Sequence, residues 1–374
     1  MALYYGVAGF GGGYSVLSQL RRDLVEERAW LPADDFLVLA ELSKSLPGTP
    51  ATTLLTLLGQ RVAGVRGGLI AACAFLLPSM ILMMALGSAY TWIRGAPAVG
   101  LFFDGMNAAM VGVIAATTLD LAKSALRGPK SVAAAVVCGA ILATRILSEP
   151  SLAFAAIAVG ALQGLLHPKT TPAPTPPAAG GGTLLCAGWT SLVWIVGGLG
   201  VLSALARVFV PIGIMTFGGG LAMVPAIEHT VVMDQHWLDR PAFADAVALG
   251  QITPGPVAIC ATFIGYRVGG VPGALVATVA MFGPAIFLAL AVGSSVERFR
   301  RSPIVEGALH TLAPAVIGML GAATFSLGRS AFVGGLSVAI AVASFAALQR
   351  KGLTPLWPLA IGGLVQIAAG GLAR

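Results

Sequence analysis

The tetrapeptide FGGG at 10–13 returns at 217–220, 207 positions later, and brings its surroundings with it: Trp30-Leu31, Phe36 and Pro47-Gly48 recur as Trp237-Leu238, Phe243 and Pro254-Gly255. The chain is a duplication. The repeated residues fall inside apolar sequence, where glycine and proline break helices, and breaks at matching places in two halves point to a binding site near the middle of a bilayer.

Composition sets the medium. Of 374 residues, 57% are hydrophobic and 10% charged, with mean hydropathy +0.90; a soluble domain carries about 25% charged residues. The chain reads as an all-α polytopic membrane protein. Its net charge of +7 comes from basic residues spread over short loops between apolar runs. That distribution fits the positive-inside rule better than a phosphate-tracking surface, so nucleic acid is not expected. Cys73, Cys138, Cys186 and Cys260 lie in apolar runs without metal-ligand spacing and read as small buried hydrophobes. Met1 to Leu20 has no basic stretch ahead of its apolar run, so no cleavable signal peptide is expected.

Apolar segments of spanning length are predicted at 2–20, 68–93, 99–122, 131–147 and 151–166, and again at 208–228, 273–296, 304–326, 331–348 and 354–371. Between the first and second span of each half lie two pieces too short to span. They are 35–46 and 51–64 around Pro47-Gly48-Thr49-Pro50, and 242–252 and 257–269 around Pro254-Gly255-Pro256. Each pair suits a broken or re-entrant helical hairpin, tolerated at membrane depth only where the open backbone is buried in protein or lines a watery cavity.

The sequence HPKTTPAPTPPAAGGG at 167–182 is a flexible connector by composition. It gives a first repeat at 1–166, a linker at 167–183 and a second repeat at 184–374, the last with an additional apolar segment, 184–205, that has no counterpart in the first half. Inverted halves would place fifteen basic residues on one face and six on the other, against thirteen and eight for parallel halves, so the charges favour inverted repeats with the fifteen-residue face cytoplasmic. The location expected is the inner (plasma) membrane, multi-pass.

Lys44 stands outside that count, in the apolar piece just before the first break. Glu41, Lys44, Ser45 and Gly48 share one helical face, and an ionisable group at membrane depth is by default a functional hypothesis; a neutralised pair that only stabilises the hairpin is the alternative. Thr49, Thr52, Thr53 and Thr56 continue a polar stripe beyond the break, and Gln60 extends it. Hydroxyls suit oxyanions, although threonines in membrane helices also bond back to their own helix. The second half has Gln251 opposite Lys44, Thr253 beside the break and Gly255 in it, with Thr262 and Tyr266 farther on. Pro50 and Pro256 sit where the first turn of a helix accepts proline, so each break is expected to open a helix whose free N–H groups and positive dipole end attract an anion. Gly11, Gly12, Gly13, Gly218, Gly219 and Gly220 would let backbone approach backbone or ligand, as they would in simple helix packing.

The pattern FGGG…WL…F…PG(x)P, followed by Gly59, Arg61, Val62, Gly64, Gly67 and Leu69 and by Gly265, Arg267, Val268, Gly270, Gly273 and Leu275, resembles the chromate ion transporter family in its long-chain, two-domain form. Further matched positions are Pro78 with Pro284, Gly112 with Gly318 and Thr118 with Thr324. The resemblance implies two homologous domains in opposite orientations and efflux of chromate, with sulfate as structural analogue and the proton gradient as driving force. The first domain departs from the family pattern: Gly13-Tyr14 replaces a Pro-His sequence, Lys44 a glutamine, and Pro47-Gly48-Thr49-Pro50 a Pro-Gly-Pro.

Glu41 is the candidate for proton coupling, with Asp104 and His310, matched across the repeat, as weaker ones. Glu228, His229 and His236 read as interfacial. The partners expected are a small inorganic oxyanion, the lipid bilayer and, as an option, a second copy of the chain in a homodimer. No cofactor and no metal are expected. A passive anion channel or a sulfate-type transporter shares every feature above, whereas a membrane-embedded enzyme would need a nucleophile with a base or a metal cluster, which the sequence does not offer.

Overall fold

The computed structural model describes residues 1–9, 12–125, 129–143, 159, 200–216, 220, 223–293, 334–350 and 355–372, with separate positions between 314 and 332. The linker at 167–183, the span at 151–166 apart from Val159, most of 184–205 and of 304–326, Phe10, Gly11, Phe217, Gly218, Gly219 and His310 lie outside the described residues.

In the first half, α1 (Ala2–Ala8) is followed by α2 (Gly12–Arg21), which runs into a π-helical turn at Arg22–Glu27. Then come α3 (Ala33–Ser45), α4 (Pro50–Arg94), α5 (Pro97–Ala125) and α6 (Pro129–Ala143). The second half repeats the order with α7 (Val201–Met215), α8 (Val224–Glu228) and its π-helical turn at His229–Asp234, α9 (Arg240–Ile252), a 3-10 turn at Val257–Ile259 and α10 (Cys260–Gly293). Next come α11 (Gly335–Leu348) and α12 (Leu356–Leu372). Among the described residues, Pro50–Arg94, Pro97–Lys123 and Val257–Gly293 are long and apolar enough to cross a membrane.

Two predicted spans are corrected. The segment 2–20 is not one helix: the chain leaves α1 at Gly9 and re-enters a helix at Gly12. The segment 208–228 likewise divides, because α7 ends at Met215 and α8 begins at Val224. In each half, therefore, a helix ends just ahead of FGGG, at Gly9 and at Thr216, and residues 201–205 of the additional apolar segment form the start of α7.

The short pieces formed as their ends dictate. α3 carries Asp34 and Asp35 in its first turn, where the helix dipole favours acids, and stops at Leu46, which is extended ahead of Pro47. α9 is capped by Asp239, whose side chain accepts from the Ala242 N–H at 2.9 Å. The second short piece of each half does not end freely. α4 turns back at Ala63-Gly64 and α10 at Gly269-Gly270, both with non-helical backbone, so 50–62 and 65–94 are two arms of one hairpin. Gly59 and Gly67 permit it: a Cβ at Gly59 would meet the Gly67 carbonyl oxygen at 2.4 Å, and Gly265 and Gly273 repeat the contact at 2.4 Å.

The halves are related by a two-fold exchange of contacts. Gln60 on α4 lies against Gly293 at the end of α10 and donates to the Leu290 carbonyl at 2.8 Å. At the equivalent place Tyr266 on α10 lies against Gly87 on α4. α5 packs against α11 and α12, helices of the opposite half, and a Cβ at Gly112 would stand 2.2 Å from the Ala341 carbonyl oxygen. Ile70, Phe325 and Val136 are each well over half exposed, as on a surface solvated by lipid tails.

Candidate functional site

The two Pro-Gly breaks meet the two FGGG breaks crosswise. Gly48, at φ +110, donates its N–H to the carbonyl of Thr216, the residue before Phe217, at 2.6 Å. Gly255, at φ +109, donates to the carbonyl of Gly9, the residue before Phe10, at 2.9 Å. Both positions need the left-handed backbone that only glycine adopts without strain. Space is short as well: a Cβ at Gly48 would lie 2.4 Å from Ala285 Cβ, and one at Gly255 would lie 2.4 Å from Ser79 Oγ. Ser79 and Ala285 occupy matching positions of α4 and α10.

The opening turn of α4 is buried, with Pro50, Ala51, Thr52 and Thr53 all withdrawn from solvent, and its N-cap Thr49 makes no side-chain capping bond. A buried helix start without a capping side chain leaves N–H groups and a positive dipole end for an anion. The second break differs from expectation: Pro256 leads into the 3-10 turn Val257–Ile259, and the α-helix starts only at Cys260. One residue fewer stands between the prolines in this copy, so the chain enters the helix by a tighter turn. This start is buried and uncapped as well, with no side-chain capping bond from Pro256 and with Val257, Ala258 and Ile259 withdrawn from solvent.

The threonine stripe splits by role. Thr49 and Thr52 hydroxyls bond each other at 2.7 Å, and Thr56 donates back to the Thr52 carbonyl at 2.7 Å. Thr53 Oγ1 is buried without a partner, as are Ser79 Oγ and Gln251 Nε2. Thr53 lies beside Gly48 and Ser79 beside Gly255, while Gln251 stands on α9 just ahead of the second break. Thr253 is buried and donates to Met83 Sδ at 3.5 Å. Farther from the break, Thr262 and Thr278 satisfy each other at 2.7 Å.

The remaining sequence candidates fall at the margins of this arrangement. Lys44 and Glu41 lie on α3 and are exposed to the surroundings of the chain, as Ser45 ends the same helix. Gly12 and Gly13 open α2, and Gly220 stands beside Val257 of the 3-10 turn. Asp104 on α5 is half exposed and pairs with Arg94 at 3.1 Å. Glu228 is buried, and His229 pairs with Asp234 at 3.3 Å. Sequence reasoning missed Ser79 and Asp245. The signal for Ser79 was its place after Pro78 with alanine at the matched position; for Asp245 it was a lone carboxylate within the apolar run of α9.

Comparison with known proteins agrees with the duplication. The family model described as Chromate transporter matches residues 1–165 and again 203–367. The chain is 30% identical to the chromate transport protein of Cupriavidus metallidurans over 360 residues, covering 93% of this chain and 86% of that one. It is 32% identical to a probable chromate transport protein of Synechococcus elongatus over 87% of this chain and 83% of that one. The chromate transport protein of Pseudomonas aeruginosa is 31% identical over 99% of this chain and 89% of its own length. No solved structure matches.

Proposed function

Because the chain belongs to the chromate transporter family, we propose that this multi-pass inner-membrane protein exports chromate, with sulfate as the analogue it would also admit, and that the proton gradient drives the export. The anion is held where the Pro-Gly breaks of the two inverted halves meet. The halves run over 1–166 and 184–374, joined by the linker at 167–183.

The observation that carries this reading is the trio of buried groups without a protein partner, Thr53 Oγ1, Ser79 Oγ and Gln251 Nε2, around breaks that also leave the start of α4 uncapped. An unsatisfied buried polar group costs about 1–3 kcal/mol, and an oxyanion that accepts from such groups at a break removes that penalty. Thr49, Thr52 and Thr253 line the same breaks, and Gly48, Gly255 and the FGGG glycines 11–13 and 218–220 keep side-chain bulk out of the way. Lys44, at the end of α3, adds a positive charge that draws a divalent anion toward the first break. Glu41 remains a candidate for proton traffic at that mouth.

Transport, not chemistry, fits the site: hydroxyls, amides and backbone N–H groups bind an anion but supply no nucleophile activated by a base. The test is uptake of radiolabelled chromate and sulfate by proteoliposomes containing the full chain, with and without an imposed pH gradient. Saturable chromate flux that accumulates against its gradient only when the pH gradient is present is the expected result. No oxyanion flux would remove the transporter reading, and flux indifferent to the gradient would replace it with a passive channel.

A further inference from the structure

Helix α9, which ends at the second Pro-Gly break, carries a carboxylate that the anion site does not use. Asp245 is wholly buried, with 0% of its surface exposed. Its partners come from the other half of the chain. Tyr90 Oη, near the end of α4, donates to Oδ2 at 2.6 Å, and Asn107 Nδ2 on α5 donates to Oδ1 at 2.7 Å. Arg94 Nε stands 3.4 Å from Oδ2.

Arg94 is shared. Its Nη2 pairs with Asp104 Oδ1 at 3.1 Å, its Nη1 donates to the Gly100 carbonyl at 3.1 Å, and its guanidinium lies 5.4 Å from the Phe103 ring centre. One cation thus serves two carboxylates, of which the buried one has the longer contact. Arg267 on α10 lies over the Tyr90 ring at 5.4 Å and donates to Thr91 Oγ1 at 2.9 Å. Asp239 and Arg240 at the start of α9, Asp120 and Lys123 near the C-terminal end of α5, Cys260 and Tyr266 on α10, and Glu228 of α8 with His229 and Asp234 of its π-helical turn complete the titratable groups on the elements packed against α9 among the described residues. Helix α12, the other neighbour, carries no charge within Leu356–Leu372.

Asn107 holds the second clue. Its Oδ1 is buried without a partner while its Nδ2 serves Asp245. Once the amide turns over, Oδ1 can accept from a protonated Asp245, with Nδ2 taking the position that Oδ1 leaves. The pair is equipped for both charge states of the carboxyl.

We propose that Asp245 is the group that takes up and releases the coupling proton, with Tyr90 and Asn107 as its bonding partners in both states and Arg94 as the cation it gives up when neutral. The inference rests on the proton-coupled reading above and assigns it a residue. A proton adds to an Asp245 oxygen, the Asn107 amide turns to accept from it, and Arg94 is left to Asp104. The tie between α9 and the α4–α5 corner is weakened, and the Pro254-Gly255 break at the end of α9 is freed to move. Deprotonation restores it. The matched position in the first half is Val38, so each chain carries this group once.

The test uses the full chain in proteoliposomes and reads two activities: chromate accumulation driven by a pH gradient, and chromate exchange across the membrane with no gradient. Asp245→Asn should lose the first and keep the second. Accumulation by Asp245→Asn equal to that of the wild type would overturn the assignment. If both activities are lost, Asp245→Glu decides: a displaced pH midpoint of uptake supports the assignment, and an unchanged midpoint or no activity overturns it. Wild-type protein that exchanges chromate without responding to the gradient overturns the coupled reading and this inference together, and is seen before any variant is made.

Discussion

Ser79 and Gly255 touch so closely that a methyl group at 255 would stand 2.4 Å from the Ser79 hydroxyl, whereas the matching pair, Ala285 and Gly48, would meet carbon to carbon. The repeats thus keep the same close approach in both copies and change the chemistry in one. Ser79→Ala should raise the KM for chromate by about tenfold or more, since one hydrogen bond to a charged group contributes about 1.5–3 kcal/mol and each 1.4 kcal/mol is about tenfold. Expression and folding should not change, because alanine already fills the matched site. An unaltered KM would remove Ser79 from the anion site.

Gly255→Ala and Gly48→Ala should each lower the Tm of the detergent-solubilised protein. Left-handed backbone costs a residue with a Cβ about 1–2 kcal/mol, and the added methyl collides with Ser79 or Ala285. Ser79→Gly in the Gly255→Ala background should recover part of the loss by removing the collision but not the strain. No recovery would mean that the backbone conformation accounts for the whole effect.

Lys44→Gln makes the first half resemble the second, where Gln251 stands at the matched position. Chromate KM should rise, and the dependence of initial uptake on ionic strength should weaken, because an exposed cation acts by attraction that salt screens. Unchanged affinity and salt dependence together would show that Lys44 only supports the hairpin.

Val65 and Val271 occupy matched positions just past the two hairpin turns, and both are about half exposed, at 54% and 52%. In a background with Cys73, Cys138, Cys186 and Cys260 replaced, Val65→Cys and Val271→Cys should react with a membrane-impermeant thiol reagent from opposite sides of the membrane. Labelling of both from the same side would show that the halves are parallel.

The sequence made the short elements legible and the long-range ones not. Helices α3 and α9 lie within two residues of the predicted 35–46 and 242–252, because Pro47 and Pro254 end them and acidic or capping residues begin them. FGGG could mean either close packing or a break, since glycine permits both; the choice depends on what approaches from the other half, here the N–H groups of Gly48 and Gly255. The turns at Gly64 and Gly270 fall where the predicted pieces 51–64 and 257–269 end, but nothing local shows that the arm after each turn packs back against the arm before it. Asp245 and its partners Tyr90 and Asn107 lie 155 and 138 residues apart in sequence, and no local pattern joins them. The threonine stripe was visible as a stripe, but only three-dimensional pairing separates Thr56, bonded to its own helix, from Thr53, which has no partner.

The crossed bonds from Gly48 to Thr216 and from Gly255 to Gly9 make the two breaks mechanically inseparable. Displacing either break takes a glycine N–H away from its acceptor in the opposite half, so a half-shifted conformer would be left with a naked amide in a dry interior.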